Sequence, residues 1–158
     1  MIINNPDLTK EEIDALVDAI ADITILIGGA DGKIDKDEIE WSEKITNIRS
    51  YSLPENLQPF YQAVGANFSE TLNNLIAELP DDVAERSEIL EGKLAALNPV
   101  MAKLPQKEGA ELYHSYVSFA KHVAKASGGF LGFWSISYEE SKFMGLPVLN
   151  KIEFPQED

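Results

Sequence analysis

The sequence predicts an all-α protein, a compact bundle of about seven helices with two pseudo-repeated helix–loop–helix units. Three observations carry that reading. Apolar residues recur at three- and four-residue spacing through most of the chain. Pairs such as Thr9/Glu12 and Asp35/Glu38 have the spacing of capping boxes at helix starts. No stretch reads convincingly as a strand. The 158 residues fit one domain, 1–158, which at this length buries roughly two-thirds of its unfolded surface without a staple.

The first helix follows the Thr9/Glu12 box. Ile13, Leu16, Val17, Ile20, Ile23, Thr24 and Ile27 form its apolar stripe, while Asp14, Asp18 and Asp22 stand four apart on another face. Gly28 and Gly29 end it. The Asp35/Glu38 box opens a second helix that runs to about Ser50. "SLPENLQP" interrupts the chain, and Pro54 or Glu55 opens a short helix through Val64. A further helix covers Phe68–Leu79, with Leu72, Leu75, Ile76 and Leu79 inward. Asp81 caps the next, which extends to about Leu104 and is kinked or split at Pro99. Pro105 begins a helix to Ala126 that buries Leu112, Tyr116, Phe119 and Val123. The last begins at Ser137 and ends or bends at Pro147.

Composition narrows the function. The chain has no cysteine, which excludes disulfides, thiolate zinc sites, iron–sulfur clusters and cysteine nucleophiles. "MIINNPDLTKEE" lacks the basic-then-apolar pattern of a signal peptide, and no segment approaches the ~20 apolar residues of a transmembrane helix. A cytoplasmic location is expected. Thirteen basic against 27 acidic residues give a net charge of −14, which repels nucleic acid and anionic lipid and favours cations and basic proteins as partners.

Two joints resemble each other. "ADGKIDKDEIEW", from Ala30 to Trp41, is matched near the end by "ASGG" at Ala126 and "ISYEESKF" at Ile136 to Phe143. Ile34, Glu38 and Trp41 have the same spacing as Ile136, Glu140 and Phe143, and six additional residues separate the halves of the second copy. The isoleucines are expected to pin each loop to the core, and Trp41 and Phe143 to pack one turn into the following helix.

The first joint admits two chemistries. With Gly32 at the sixth position of a calcium loop, Asp31, the Lys33 carbonyl, Asp35 and Glu38 fall on ligand positions five, seven, nine and twelve. Ile27 and Gly29 fall on positions one and three and supply no side-chain oxygen. A divalent cation, calcium or magnesium, would bind weakly with Asp31, Asp35 and Glu38, helped by Asp22 or by an acid of the second copy. Alternatively Asp35 and Glu38 only cap a helix and complement its dipole.

"ADGKIDKDE" after an apolar helix, with "VAKASGG" and "ISYEE" in the last third, resembles the two halves of the TerB-like tellurite-resistance domain. The resemblance covers the two joints, and the middle only in helix content and length. It implies a compact helical bacterial domain linked to tellurite and other chemical stress, which works through binding and assembly and whose acidic loops hold divalent cations. Carried over by position, Asp31, Asp35 and Glu38 are the metal candidates of the first half and Glu140 of the second. Ser127 and Ser137 stand where acids are expected, and "GFLGFW" lengthens the second loop. These departures count against a second metal site and against transfer of tellurite resistance itself.

"GGFLGFW", Gly128 to Trp134, offers a further binding feature. Phe130, Leu131, Phe133 and Trp134 together form either a patch for a protein partner or the apolar plug at one end of the bundle. Enzyme signals are sparse. Glu111 and His114 have the E-x-x-H spacing of carboxylate di-iron bundles, which need two such pairs and two more glutamates. His114 and His122 read as surface or hydrogen-bonded structural residues. No zincin, P-loop, nucleophile-elbow or dinucleotide motif is present. The expectation is a non-catalytic binding module. The alternatives are a metal-independent adaptor that uses the aromatic loop 128–134, and a carboxylate-bridged metalloenzyme.

Overall fold

The computed structural model describes residues 2–30, 36–129 and 143–157, with the side chains of 36–38, 41, 51–52 and 126–129 left aside. Among the described residues the architecture is all-helical. A 3₁₀ turn, Ile2–Asn4, leads into α1 (Lys10–Gly28), α2 (Lys36–Ser52), α3 (Gln58–Glu78), α4 (Val83–Ala95), the single turn α5 (Asn98–Met101) and α6 (Gln106–Gly129). Five of these described elements are long helices, and the last of the seven expected, from Ser137, falls mostly outside the described residues.

α1 is the central element. Its start is the predicted capping box, in which the Glu12 N–H donates to Thr9 Oγ1 at 3.1 Å and the Thr9 N–H to Glu12 Oε2 at 2.9 Å. From Ala19 to Gly28 every side of the helix is buried. The run "AIADITILIG" is apolar nearly all round, and such a helix needs neighbours on every face. α3, α4 and α6 supply most of them, with a smaller contact from α2, and α2 also lies across α3 and α6. α6 contributes the predicted Leu112, Tyr116, Phe119 and Val123, all fully buried. The Tyr116 hydroxyl donates to Leu16 O at 2.6 Å, tying α6 to α1. The two apolar helices that precede the proposed repeats, α1 and α6, therefore pack on each other.

Two readings in the middle of the chain are corrected. The short helix ending at Val64 and the helix beginning at Phe68 are one helix, α3. Gly65 costs a helix about 1 kcal/mol relative to alanine, but Phe60, Tyr61, Val64, Phe68, Leu72 and Leu75 form a continuous buried stripe across it. Burial of that stripe outweighs the glycine. Ile76 and Leu79 are partly buried at its end. The cap of α4 is Asp82, not Asp81: Asp82 stands immediately before Val83, the first helical residue, and its Oδ1 accepts the Glu85 N–H at 2.9 Å. Pro99 does split the next stretch, and α5 carries it in its first turn.

The last described segment, 143–157, is irregular and strapped across α5 and α6. Asn98 grips its backbone twice, donating from Nδ2 to Val148 O at 2.9 Å and accepting the Asn150 N–H on Oδ1 at 2.8 Å. Leu146 sits at φ 49°, an unusual conformation for a side chain branched beyond Cβ; its side chain is wholly buried, which holds it there. Phe143 is half-buried against the core. The rest of the expected last helix, from Ser137, lies outside the described residues.

Candidate functional site

Seven of the eight sequence-predicted site residues lie outside the described residues: Asp31, Asp35 and Glu140 of the cation proposal, and Phe130, Leu131, Phe133 and Trp134 of the aromatic loop. Glu38 lies in the first turn of α2, with its side chain among those left aside. The foot of the first loop is described. Arg86, buried on α4, donates from Nη2 to Gly29 O at 2.7 Å. That guanidinium satisfies a carbonyl at the C-terminal end of α1 and adds a buried positive charge there.

The E-x-x-H pair of α6 is engaged elsewhere. Asn56 Nδ2 donates to Glu111 Oε2, and the His114 ring stacks on Phe154 with centroids 5.0 Å apart and planes within 4°. Among the described residues no three His, Asp or Glu side chains converge as a metal-holding group. His122 Nδ1 lies 2.8 Å from Ser118 O, consistent with a hydrogen-bonded structural histidine.

The structure brings together a different set. α1 presents Lys10, Ile13, Asp14, Val17, Asp18 and Ala21 to a groove of about 680 Å³, and α3 presents Ala63, Ala66, Asn67, Glu70, Thr71 and Asn74 to the same space. Each series steps by three, four, seven, eight and eleven residues, which is one face of a helix. Two helix faces thus run side by side with an open furrow between them. Ile13 and Val17 are only half-buried although they belong to the stripe of α1, and with Ala21, Val64 and Phe68 they make an apolar floor. Asp14 and Asp18 stand on one bank and Glu70 on the other.

The furrow continues into a pocket of about 230 Å³ that shares Asp18, Thr71 and Asn74 and adds Asp22, Glu78 and Lys93. Asp22 is 4% exposed. Lys93 Nζ reaches its Oδ1 at 3.4 Å, but Lys93 is itself half-exposed. Burial pushes the Asp22 carboxyl up from 3.8 to about 6; the Lys93 charge pulls against this and the Asp18 charge adds to it. Asp18 is raised too, first by burial and then by Asp14. On the outer turn Lys10 Nζ pairs with Asp14 Oδ2 at 2.9 Å. Three aspartates at four-residue intervals repel along a helix, and the innermost is poorly compensated. Perturbed carboxylates in a cleft mark candidate functional positions.

A second pocket, of about 380 Å³ between α2 and α3, is lined by Glu43, Thr46, Asn47, Ser50 and Gln62 among others. Several of its polar groups are committed within the fold: Thr46 Oγ1 donates to Ser42 O at 2.9 Å, Ser50 Oγ to Asn47 O at 2.6 Å, and Ser69 Oγ to Glu43. Behind it lies Arg49, 6% exposed. Its Nη1 donates to Ser115 Oγ at 3.1 Å and its Nη2 to Ser118 Oγ at 3.0 Å. Its guanidinium carbon lies 5.6 Å from the ring centres of both Tyr61 and Phe119. This is a structural junction of α2, α3 and α6.

Sequence reasoning missed the groove and both buried arginines. The signal for the groove was present in the three aspartates of α1 and in the small residues Ala63 and Ala66 of α3. Set against known proteins, the chain matches no family model, no curated protein and no solved structure.

Proposed function

We propose that this chain is a non-catalytic binding module that receives a helix of a partner protein between α1 and α3. The observation that carries the reading is the pair of helix faces at matched spacing, with half-buried Ile13 and Val17 between them. A third helix laid in the furrow completes a three-helix packing, and the small side chains Ala21, Ala63 and Ala66 let its axis approach to about 8–10 Å. Amphipathic helices enter such grooves through anchors at helical spacing.

The test is a titration followed by backbone amide NMR, with a designed helical peptide carrying one leucine stripe. Shift changes should concentrate in residues 10–22 and 63–78 and vanish in Ala66→Trp, which fills the furrow from an exposed position. Changes centred elsewhere, or none, would reject the reading.

The TerB-like kinship, the bacterial chemical-stress setting and a cytoplasmic location are proposals that rest on sequence, the kinship on the two joints. So does weak calcium or magnesium binding at Asp31, Asp35 and Glu38. A melting-temperature shift at millimolar calcium, lost in Asp31→Asn, would support the cation site.

A further inference from the structure

Resting on the groove reading, we infer that the helix received here is cationic: an amphipathic segment of about three turns, with lysine or arginine on both sides of its apolar stripe and one terminal cation placed on Asp22 in competition with Lys93. The length follows from the groove. Lys10 to Ala21 and Ala63 to Asn74 each span eleven residue steps, about 16 Å of helix at 1.5 Å per residue.

Charge complementarity supplies the chemistry. Asp14, Asp18 and Glu70 stand along the furrow, and Asp22 and Glu78 close its far end. The two cations among the described residues of its lining, Lys10 and Lys93, are already held by Asp14 and Asp22. The banks therefore carry an excess of negative charge over a floor that is apolar. A neutral apolar helix would leave that charge partly desolvated without partners, and an acidic one would be repelled. A second copy of this chain, at net charge −14, is disfavoured on the same ground.

Asp22 gives the groove a direction. Its carboxylate lines the pocket yet is almost wholly withdrawn from water, and Lys93 approaches it at 3.4 Å through one oxygen from a half-exposed position. A guanidinium could approach two carboxylate oxygens at once, which an ammonium at that distance does not. An arriving arginine thus gains more at Asp22 than Lys93 loses by returning to water. The groups facing Asp22 are Asp18 on its own helix, Lys93 from α4, Glu78 across the pocket and the Tyr116 hydroxyl from α6.

The inference is tested by fluorescence polarisation with labelled synthetic peptides of about fourteen residues, nearly four turns, which covers the three turns required. One has a leucine stripe flanked by arginines, a second has glutamine for every arginine, and a third scrambles the arginine peptide so that no stripe remains. At about pH 8, where Asp22 is ionised, the arginine peptide should bind at least about tenfold more tightly than the glutamine peptide. Added salt should narrow that gap. Asp18→Asn and Asp22→Asn should each weaken the arginine peptide several-fold and leave the glutamine peptide unchanged. Lys93→Met should tighten the arginine peptide, an outcome that a merely structural ion pair does not predict.

Equal affinity for the arginine and glutamine peptides, both lost in Ala66→Trp, overturns the cationic partner and leaves the groove reading standing. Arginine-peptide binding that survives Ala66→Trp, or that the scrambled peptide matches, overturns both. Self-association abolished by Ala66→Trp would make a second copy the occupant and overturn the inference.

Discussion

Replacing Asp22 by asparagine should stabilise this protein at neutral pH and do nothing at acid pH. The carboxyl is raised from 3.8 to about 6, with burial as the leading cause. At 1.36 kcal/mol per tenfold change, keeping Asp22 ionised in the folded state costs about 3 kcal/mol. The sign follows from proton binding. Between about pH 4 and 6 the folded chain holds a proton that the unfolded chain has released, so the contribution of Asp22 worsens as pH rises through 6 and is then constant. Asparagine keeps the shape and removes the charge. It also strands Lys93 and brings an amide that needs partners, so the expected net gain is about 1–2 kcal/mol above pH 7. In urea, with a slope of roughly 2–3 kcal/mol per molar, that is a midpoint shift of about 0.5 M. The assay is urea unfolding of both proteins at intervals between about pH 4 and 8. Lys93→Met is the control. It removes the compensating charge and should destabilise at neutral pH but not near pH 4. A variant less stable than the parent at neutral pH, or an offset independent of pH, would refute the reasoning.

Arg49 predicts the opposite behaviour. Arg49→Met should cost about 3 kcal/mol, since it removes hydrogen bonds that join α2 to Ser115 and Ser118 of α6 and leaves buried acceptors behind. Arg49→Lys should recover little, because one ammonium cannot span both serines while lying against Tyr61 and Phe119; thermal melts of the two variants check this. Asn98→Ala should release the C-terminal strap. Two backbone hydrogen bonds are lost, at about 1–2 kcal/mol together, and hydrogen exchange at the Asn150 amide should accelerate while the amides of α1 keep their protection.

Local chemistry was legible from the residues, and tertiary choice was not. The Thr9/Glu12 box, the break at Pro99 and the buried stripe of α6 each depend on neighbours within a turn or two. The fusion of two expected helices into α3 depends on a contest between one glycine and a stripe that buries only when α1 and α2 are in place. Asp81 and Asp82 are equally good caps by type, and the first residue of the helix decides between them. The groove is the extreme case. Ile13 and Val17 share a stripe with Leu16 and Ile20, and nothing in that periodicity says that Leu16 and Ile20 are closed over while Ile13 and Val17 stay half open beside α3. The middle of the acidic joint, 31–35, and the aromatic residues of the late loop, conspicuous as strings of residues, fall outside the described parts of the chain.

The buried charges separate structure from function in this molecule. Arg49 and Arg86 are withdrawn from water, but each is met by oxygen: Arg49 by the serines of α6, Arg86 by the carbonyl of Gly29, the cap of α1. Removing either would leave its acceptors unsatisfied, so both work for the fold. Asp22 is placed differently. Its burial opposes its charge, Asp18 adds repulsion, and its one cation is long and half-exposed. The fold would be more stable without the carboxylate. A group that costs stability in the free protein, at the end of a furrow with an apolar floor and acidic banks, recovers that cost only when a better cation arrives. For that reason the binding reading is attached to α1 and α3, where the unfavourable charge lies, and the two arginines are left to the architecture.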